Sequence, residues 1–211
     1  MNAVRHEDTD ELLRRVAAGD AHERSQLLAR HRQRLRHMIE VRLDRRLRPR
    51  IDPSDIVQDA LTEAAQKLSD YARRRPLPFY PWLRRLAWER LLQIHRRHVR
   101  AQRRSVRRED FGGLPLPEDS AGDLAERLAA RGSSPSERLR HSEQRPRVQQ
   151  ALARLGAADR EVLVLRYLED LNTAEIAAVL ELTESAVKMR QLRALQGLRD
   201  LLDDEDLLEE L

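Results

Sequence analysis

Apolar residues recur at helical spacing along the first part of the chain, at Leu12, Leu13 and Val16, at Leu27 and Leu28, and at Leu35, Met38, Ile39 and Leu43. A break at Ala18-Gly19-Asp20 divides this pattern, which predicts two helices between Asp8 and about Leu47. After a connection from Arg48 to Ile51, the run Asp52-Pro53-Ser54-Asp55 supplies an N-cap, a proline at the first helical position and an acid at the third. A third helix is predicted from there to about Tyr71, with Ile56, Val57, Ala60, Leu61, Ala64 and Leu68 inward. Its other side carries Asp55, Asp59 and Glu63 one turn apart, a carboxylate ridge. Arg73 to Pro81 reads as a basic, proline-interrupted loop. A fourth helix from about Pro81 to Arg104 turns Leu83, Leu86, Ala87, Leu91 and Ile94 inward.

From about Ser105 to Ser142 the periodicity lapses. Gly112-Gly113, Pro115, Pro117, Gly122 and Gly132 to Ser136 have the composition of turns, with only a short helix possible at Asp123 to Arg131. A flexible linker is therefore predicted over residues 109–142. Helices are predicted again from about Gln144 to Leu155 and from Ala158 to Leu168. The sharpest local pattern follows, from Asn172 to Leu198. Ile176, Ala177, Val179 and Leu180 give one helix an apolar side, Glu181-Leu182 makes a very short turn, and Thr183 N-caps a second helix that begins at Glu184. That is the pattern of a helix-turn-helix, although a plain helical hairpin in a bundle has the same outline. On the second helix Val187, Ala194, Leu195 and Leu198 share one side, and Ser185, Met189, Leu192, Arg193 and Gln196 the other, flanked by Lys188 and Arg190. No acid occurs from Ser185 to Arg199, which suits the negative potential of a DNA major groove.

Few glycines, 3% aromatics and abundant Leu, Ala, Arg and Glu in 211 residues point to an all-α protein of two helical domains. The boundaries expected are 1–108 for the first, 143–199 for the second, and an acidic tail at 200–211. The formal charge of +4 conceals an asymmetry. Residues 1–110 hold 27 Lys and Arg against 16 Asp and Glu, while the rest hold 13 against 20, so the first half faces a polyanion. No apolar run is long enough to span a bilayer and no signal-peptide pattern opens the chain, so the expected location is cytoplasmic. With no cysteine there is no disulfide, thiolate zinc site or cysteine nucleophile. His95 and His98 lie at i, i+3 with no third ligand nearby, so no metal and no cofactor are expected, and a polar or phosphate-facing role suits them better. Neither a phosphate-cradling glycine loop nor a nucleophile elbow is present, and the chain reads as a binding protein rather than an enzyme.

In their order and spacing, Asp52 to Asp59, Phe79-Tyr80-Pro81-Trp82-Leu83-Arg84-Arg85-Leu86-Ala87, Arg160 to Tyr167 and the helix-turn-helix resemble a bacterial RNA polymerase sigma factor. The two-domain layout is similar to the extracytoplasmic function (ECF) group of the sigma-70 family. The resemblance implies that residues from about 25 to 108 are the family's second conserved region and those from about 145 to 199 its fourth. It implies core RNA polymerase as partner, through the beta-prime clamp helices and the beta flap, with promoter DNA, and with an anti-sigma factor as a further candidate. Asp55, Gln58, Asp59 and Glu63 become the expected polymerase contacts, a solvated face being the alternative.

The same resemblance places Arg84, Arg85, Trp88, Glu89, Arg96, Arg97 and Arg100 at the minus-10 element, in the helix that melts DNA. An outward Trp88 beside guanidiniums suits stacking of an unpaired base, with Arg103 and Arg104 extending the run; packing of Trp88 on the first two helices is the alternative, and Trp82 is expected in the core. Thr183, Ser185, Lys188, Met189, Arg190, Leu192 and Arg193 fall at the minus-35 element, with Lys188 or Arg193 on guanine, Met189 and Leu192 on thymine methyls, and Thr183, Ser185 and Arg190 near phosphates. Three positions depart from the family's usual pattern. Glu181 stands where its turn usually has glycine, so a non-glycine residue at positive φ is expected; Gln191 holds a usually apolar inward site; and Glu89 replaces a frequent asparagine. The competing classes are a dimeric helix-turn-helix regulator that binds DNA without polymerase, and a recombinase, for which no nucleophile and acid cluster is visible.

Overall fold

The computed structural model describes residues 9, 11–16, 21–100, 114, 116–129 and 137–209, without the side chains of 21, 98–100, 129, 137–144 and 204–209. The break at Ala18-Gly19-Asp20, Arg103, Arg104, Gly112-Gly113 and Gly132 to Ser136 lie outside the described residues, as do the side chains of His98 and Arg100. Among the described residues every regular element is a helix, and the chain divides into two compact units, Met1–Ser105 and Val106–Leu211.

In the first unit a short helix α1 (residues 11–16) precedes α2 (Ala21–Arg42), α3 (Pro53–Arg74) and α4 (Phe79–Arg100). The last three pack pairwise on one another. Leu35, Met38, Ile39, Ala64, Leu68 and Ala87 are fully buried between them, the apolar stripes that the periodicity marks. At the start of α3 the Asp52 carboxylate accepts from the Ser54 N–H at 2.7 Å and Pro53 takes the first position, where its missing N–H costs nothing. The helix ends at Arg75, which adopts φ 37°. The loop beyond it is tied back by the Tyr71 hydroxyl, which donates to the Leu77 carbonyl at 2.9 Å. Tyr71 stacks on Trp82 with ring centroids 4.4 Å apart and Phe79 joins them, an aromatic knot that places Trp82 in the core.

The second unit contains α5 (Glu118–Ala129), α6 (Glu137–Arg154), α7 (Ala157–Tyr167), α8 (Thr173–Leu180) and α9 (Glu184–Glu209). Residues 118–129, read from composition as linker, instead form a helix packed on α6 and α7, with Leu124 and Ala125 fully buried. The signals read as breaks have structural uses here. The Pro117 carbonyl accepts the first helical bond from Ala121 N–H at 2.9 Å, and Gly122 sits where α5 and α6 approach so closely that a Cβ would lie 2.6 Å from the Arg145 guanidinium. Arg127 donates to the Tyr167 carbonyl at 2.6 Å and so fastens α5 to the end of α7. Four consecutive residues of α7, Val162 to Leu165, are buried, because this helix has neighbours on several sides. The acidic tail does not end the helix, since α9 continues through Asp200 to Glu209.

Between α8 and α9 the chain turns at Glu181, whose φ of 56° is the left-handed conformation that glycine adopts without penalty. The N–H groups of Glu181 and Leu182 both donate to the Ala177 carbonyl, which closes α8. Replacing Glu181 by glycine removes left-handed strain of about 1–2 kcal/mol and restores part of it as unfolded-chain freedom, about 0.4–1 kcal/mol. Glu181→Gly is expected to raise the urea midpoint of the second unit by the equivalent of about 0.5–1 kcal/mol. A lower midpoint would mean that the Glu181 side chain itself holds the turn.

Candidate nucleic-acid interface

Two helix faces and one ridge carry the residues that the sequence singles out. The first face is the N-terminal half of α9, and the elements around it fix which residues it presents. Asn172 and Glu175 cap α8 reciprocally: the Asn172 side chain accepts from the Glu175 N–H at 2.9 Å and the Glu175 carboxylate accepts from the Asn172 N–H at 3.0 Å. Thr183 caps α9, its hydroxyl oxygen accepting from the Ala186 N–H at 3.1 Å. With the start fixed, Val187, Ala194 and Leu198 are buried, and Ser185, Lys188 and Arg193 are exposed, with Arg190 half-buried. Met189 is 58% exposed and Leu192 49%, the exposed large apolar side chains of the described residues. Gln191, at the usually apolar inward site, donates to the Tyr167 hydroxyl at 2.9 Å and ties α9 to α7. A polar side chain is therefore satisfied there rather than buried at a loss.

The second face lies on α4, and it differs from the expectation at Arg84 and, in part, at Trp88. Arg84, expected outward beside DNA, is buried at 5% exposure, with its guanidinium carbon 5.6 Å from the centre of the Trp88 ring. Buried Arg42, the last residue of α2, lies 5.4 Å from the same ring. The apolar stripe of α4 is wider than five residues, and Arg84 falls within it; the arginine's long stem packs while its cation meets the indole. Trp88 is half-buried rather than fully outward. Arg85 and Glu89 are exposed and paired at 3.2 Å. Arg96 and Arg97 are exposed, whereas the Arg100 side chain lies outside the described residues. Burial holds the His95 pKa below its ordinary value despite nearby Asp44, which favours neutral imidazole.

The ridge on α3 divides. Asp55 and Asp59 are exposed, but Glu63 is not part of an open face. Its carboxylate accepts from Lys67 at 2.5 Å and from Arg90 of α4 at 2.8 Å, and these cations hold its pKa below the usual carboxylate range. Gln58 accepts from Arg32 of α2 at 2.7 Å. The Lys67 partner is legible as an i, i+4 pair, but Arg90, Arg32 and Arg42 come from other helices and no local spacing announces them. Among the described residues no group of three or more His, Asp and Glu is placed to hold a metal ion, and no helix is long and apolar enough to cross a membrane.

Residues 151–200, from the end of α6 into α9, match the family described as Sigma-70, region 4. RNA polymerase sigma factor CnrH of Cupriavidus metallidurans is 32% identical, over 93% of this chain and 96% of its own length. RNA polymerase sigma factor NccH of Alcaligenes xylosoxydans is 30% identical over 90% and 92%, and the ECF RNA polymerase sigma-E factor of Escherichia coli is 26% identical over the same shares. With that identity running almost end to end and the helix-turn-helix in the matched region, the chain belongs to the ECF group of the sigma-70 family of RNA polymerase sigma factors, which direct transcription initiation.

Proposed function

We propose that the two units divide promoter recognition, α9 reading the minus-35 element in the major groove and α4 holding the opened minus-10 strand, while α3 docks on the polymerase. The observation that carries this reading is the front of α9, where Met189 and Leu192 stand exposed among Lys188 and Arg193 on a stretch free of acids. Apolar side chains on a basic face have a use against thymine methyls, with flanking guanidinium or ammonium groups on guanine or phosphate. Lys188 and Arg193 are the candidates for guanine, and Thr183, Ser185 and Arg190 for the phosphates that set register.

On α4 the exposed part of the Trp88 ring is the stacking surface for an unpaired base, and Arg85, Arg96 and Arg97 supply cations for the strand. Arg42 and Arg84 act on Trp88 from within, fixing its ring by cation–π attraction of about 0.5–2 kcal/mol rather than touching DNA. Glu89 beside Arg85 lowers the local positive charge where the family often has an amide, so base preference at this point is this chain's own. Asp55 and Asp59 make the acidic contact with the beta-prime clamp helices, with Gln58 beside them, and Glu63 supports α3 from the α4 side. The second unit meets the beta flap. The chain itself makes and breaks no bonds; polymerase supplies the chemistry, in the cytoplasm where polymerase and chromosome meet.

The founding experiment is reconstitution. Core RNA polymerase with the purified chain is expected to yield transcripts from discrete starts, absent with core alone. Tight binding of a palindromic duplex by the chain without polymerase would favour the dimeric regulator instead. Charge reversal at Asp59 tests the docking helix: Asp59→Lys is expected to weaken core binding at least tenfold, read by fluorescence anisotropy, with an unchanged thermal midpoint because the position is exposed. Equal affinity would remove α3 from the interface. For the reader helix, Arg193→Ala is expected to cost about 1–3 kcal/mol of holoenzyme binding and to relax one base position. A uniform loss over all promoter variants would reassign Arg193 to a phosphate.

A further inference from the structure

The loop between α2 and α3 is more than a connection, since it carries four exposed arginines within six residues. Arg45, Arg46, Arg48 and Arg50 fall within it, all exposed. The backbone is set by consecutive turns: the Asp44 carboxylate accepts from the Arg46 N–H at 2.8 Å, its carbonyl from the Leu47 N–H at 2.9 Å, and the Leu47 carbonyl from the Arg50 N–H at 2.9 Å. Arg48 is spent on holding the loop to α2, donating to the Glu40 carbonyl at 3.2 Å. Among the described residues the guanidinium groups of Arg46 and Arg50 make no hydrogen bond or ion pair.

This loop comes level with the far half of α4, because α3 runs antiparallel to α4, with Tyr71 stacked on Trp82 and, two turns nearer the loop, Glu63 accepting from Arg90 at 2.8 Å. The following residues of α4, Arg96 and Arg97, are exposed. Cations drawn from two elements onto one corner repel one another, and a folded protein gains from such a corner when a polyanion neutralises it. No large apolar side chain is exposed there to seed a protein interface, while preordered arginines match the spacing-tolerant demands of a phosphate backbone.

The geometry points to a duplex-gripping site formed by Arg46 and Arg50 of the α2–α3 loop, which continues the strand-holding row of Arg96 and Arg97 onto the phosphates of the double-stranded DNA flanking the opened segment. It rests on the reading of α4 as the strand-holding helix and adds a second element to it. Its contribution is to affinity and salt dependence, uniform over sequence, since guanidiniums on phosphates carry no base information.

The test uses holoenzyme assembled from core polymerase and the full chain, on a promoter duplex recovered by sequencing the transcripts. Arg46→Gln with Arg50→Gln is expected to reduce the slope of log K against log KCl concentration by about 1–2, near 0.9 for each phosphate no longer neutralised, with an unchanged thermal midpoint. Because the chain has no cysteine, Arg46→Cys accepts a single iron chelate, which is expected to cleave the duplex beside the opened segment. An unchanged slope, or cleavage of a polymerase subunit with none of DNA, would overturn the site. The pair Arg96→Gln with Arg97→Gln separates the two readings: if it fails to move the slope, α4 is not the strand-holding helix, whereas failure of the loop pair alone removes only the loop.

Discussion

A helix that reads a groove has to be held rigidly from behind while its front stays bare, and the packing of α9 on its neighbours meets both conditions. Val187, Ala194 and Leu198 are buried, Gly197 lies so near Leu155 that a Cβ would sit 3.4 Å from that side chain, and Gln191 bonds Tyr167. The front then follows from helical geometry alone. A slip of one residue in the start of the helix would rotate every side chain by about 100°, so the Thr183 cap and the left-handed Glu181 decide which residues α9 presents at its front.

The first unit solves a different electrostatic problem. Its surface is strongly basic, and its few acids are distributed between internal and external tasks. Glu63 is consumed by Lys67 and Arg90 and joins α3 to α4, whereas Asp55 and Asp59 remain at the surface. Two arginines are likewise drawn inside, Arg42 and Arg84, against the Trp88 indole. Removing a guanidinium from water is costly unless it finds partners, and an aromatic face close by offsets part of that cost while restricting the ring.

How much of this was legible in the sequence depends on the range of the interaction concerned. The helices, the Asp52 and Thr183 caps and the inner face of α9 are local matters of periodicity and capping, and residues such as Leu68 and Val187 lie where the pattern puts them. The positive φ at Glu181 was readable only through the family's glycine. What the sequence hid is made between elements. Arg84 looks like any surface arginine until α2 brings Arg42 to the same indole, and Glu63 looks like one of three equivalent carboxylates until Arg90 arrives from the next helix. The helix at Glu118–Ala129 was hidden for the opposite reason: Pro117 and Gly122 are turn residues by composition, but a proline just before a helix and a glycine at a helix crossing serve order instead.

The exposed thioether of Met189 has a chemical corollary. Met38 is sealed in the core and the chain has no thiol, so among the described residues Met189 is the sulfur that an oxidant reaches first. Conversion to the sulfoxide would set a polar, chiral oxygen where an apolar surface is presented, without disturbing the buried side of the helix. Oxidation at this position would therefore alter the exposed front of α9 before it loosened the packing behind it.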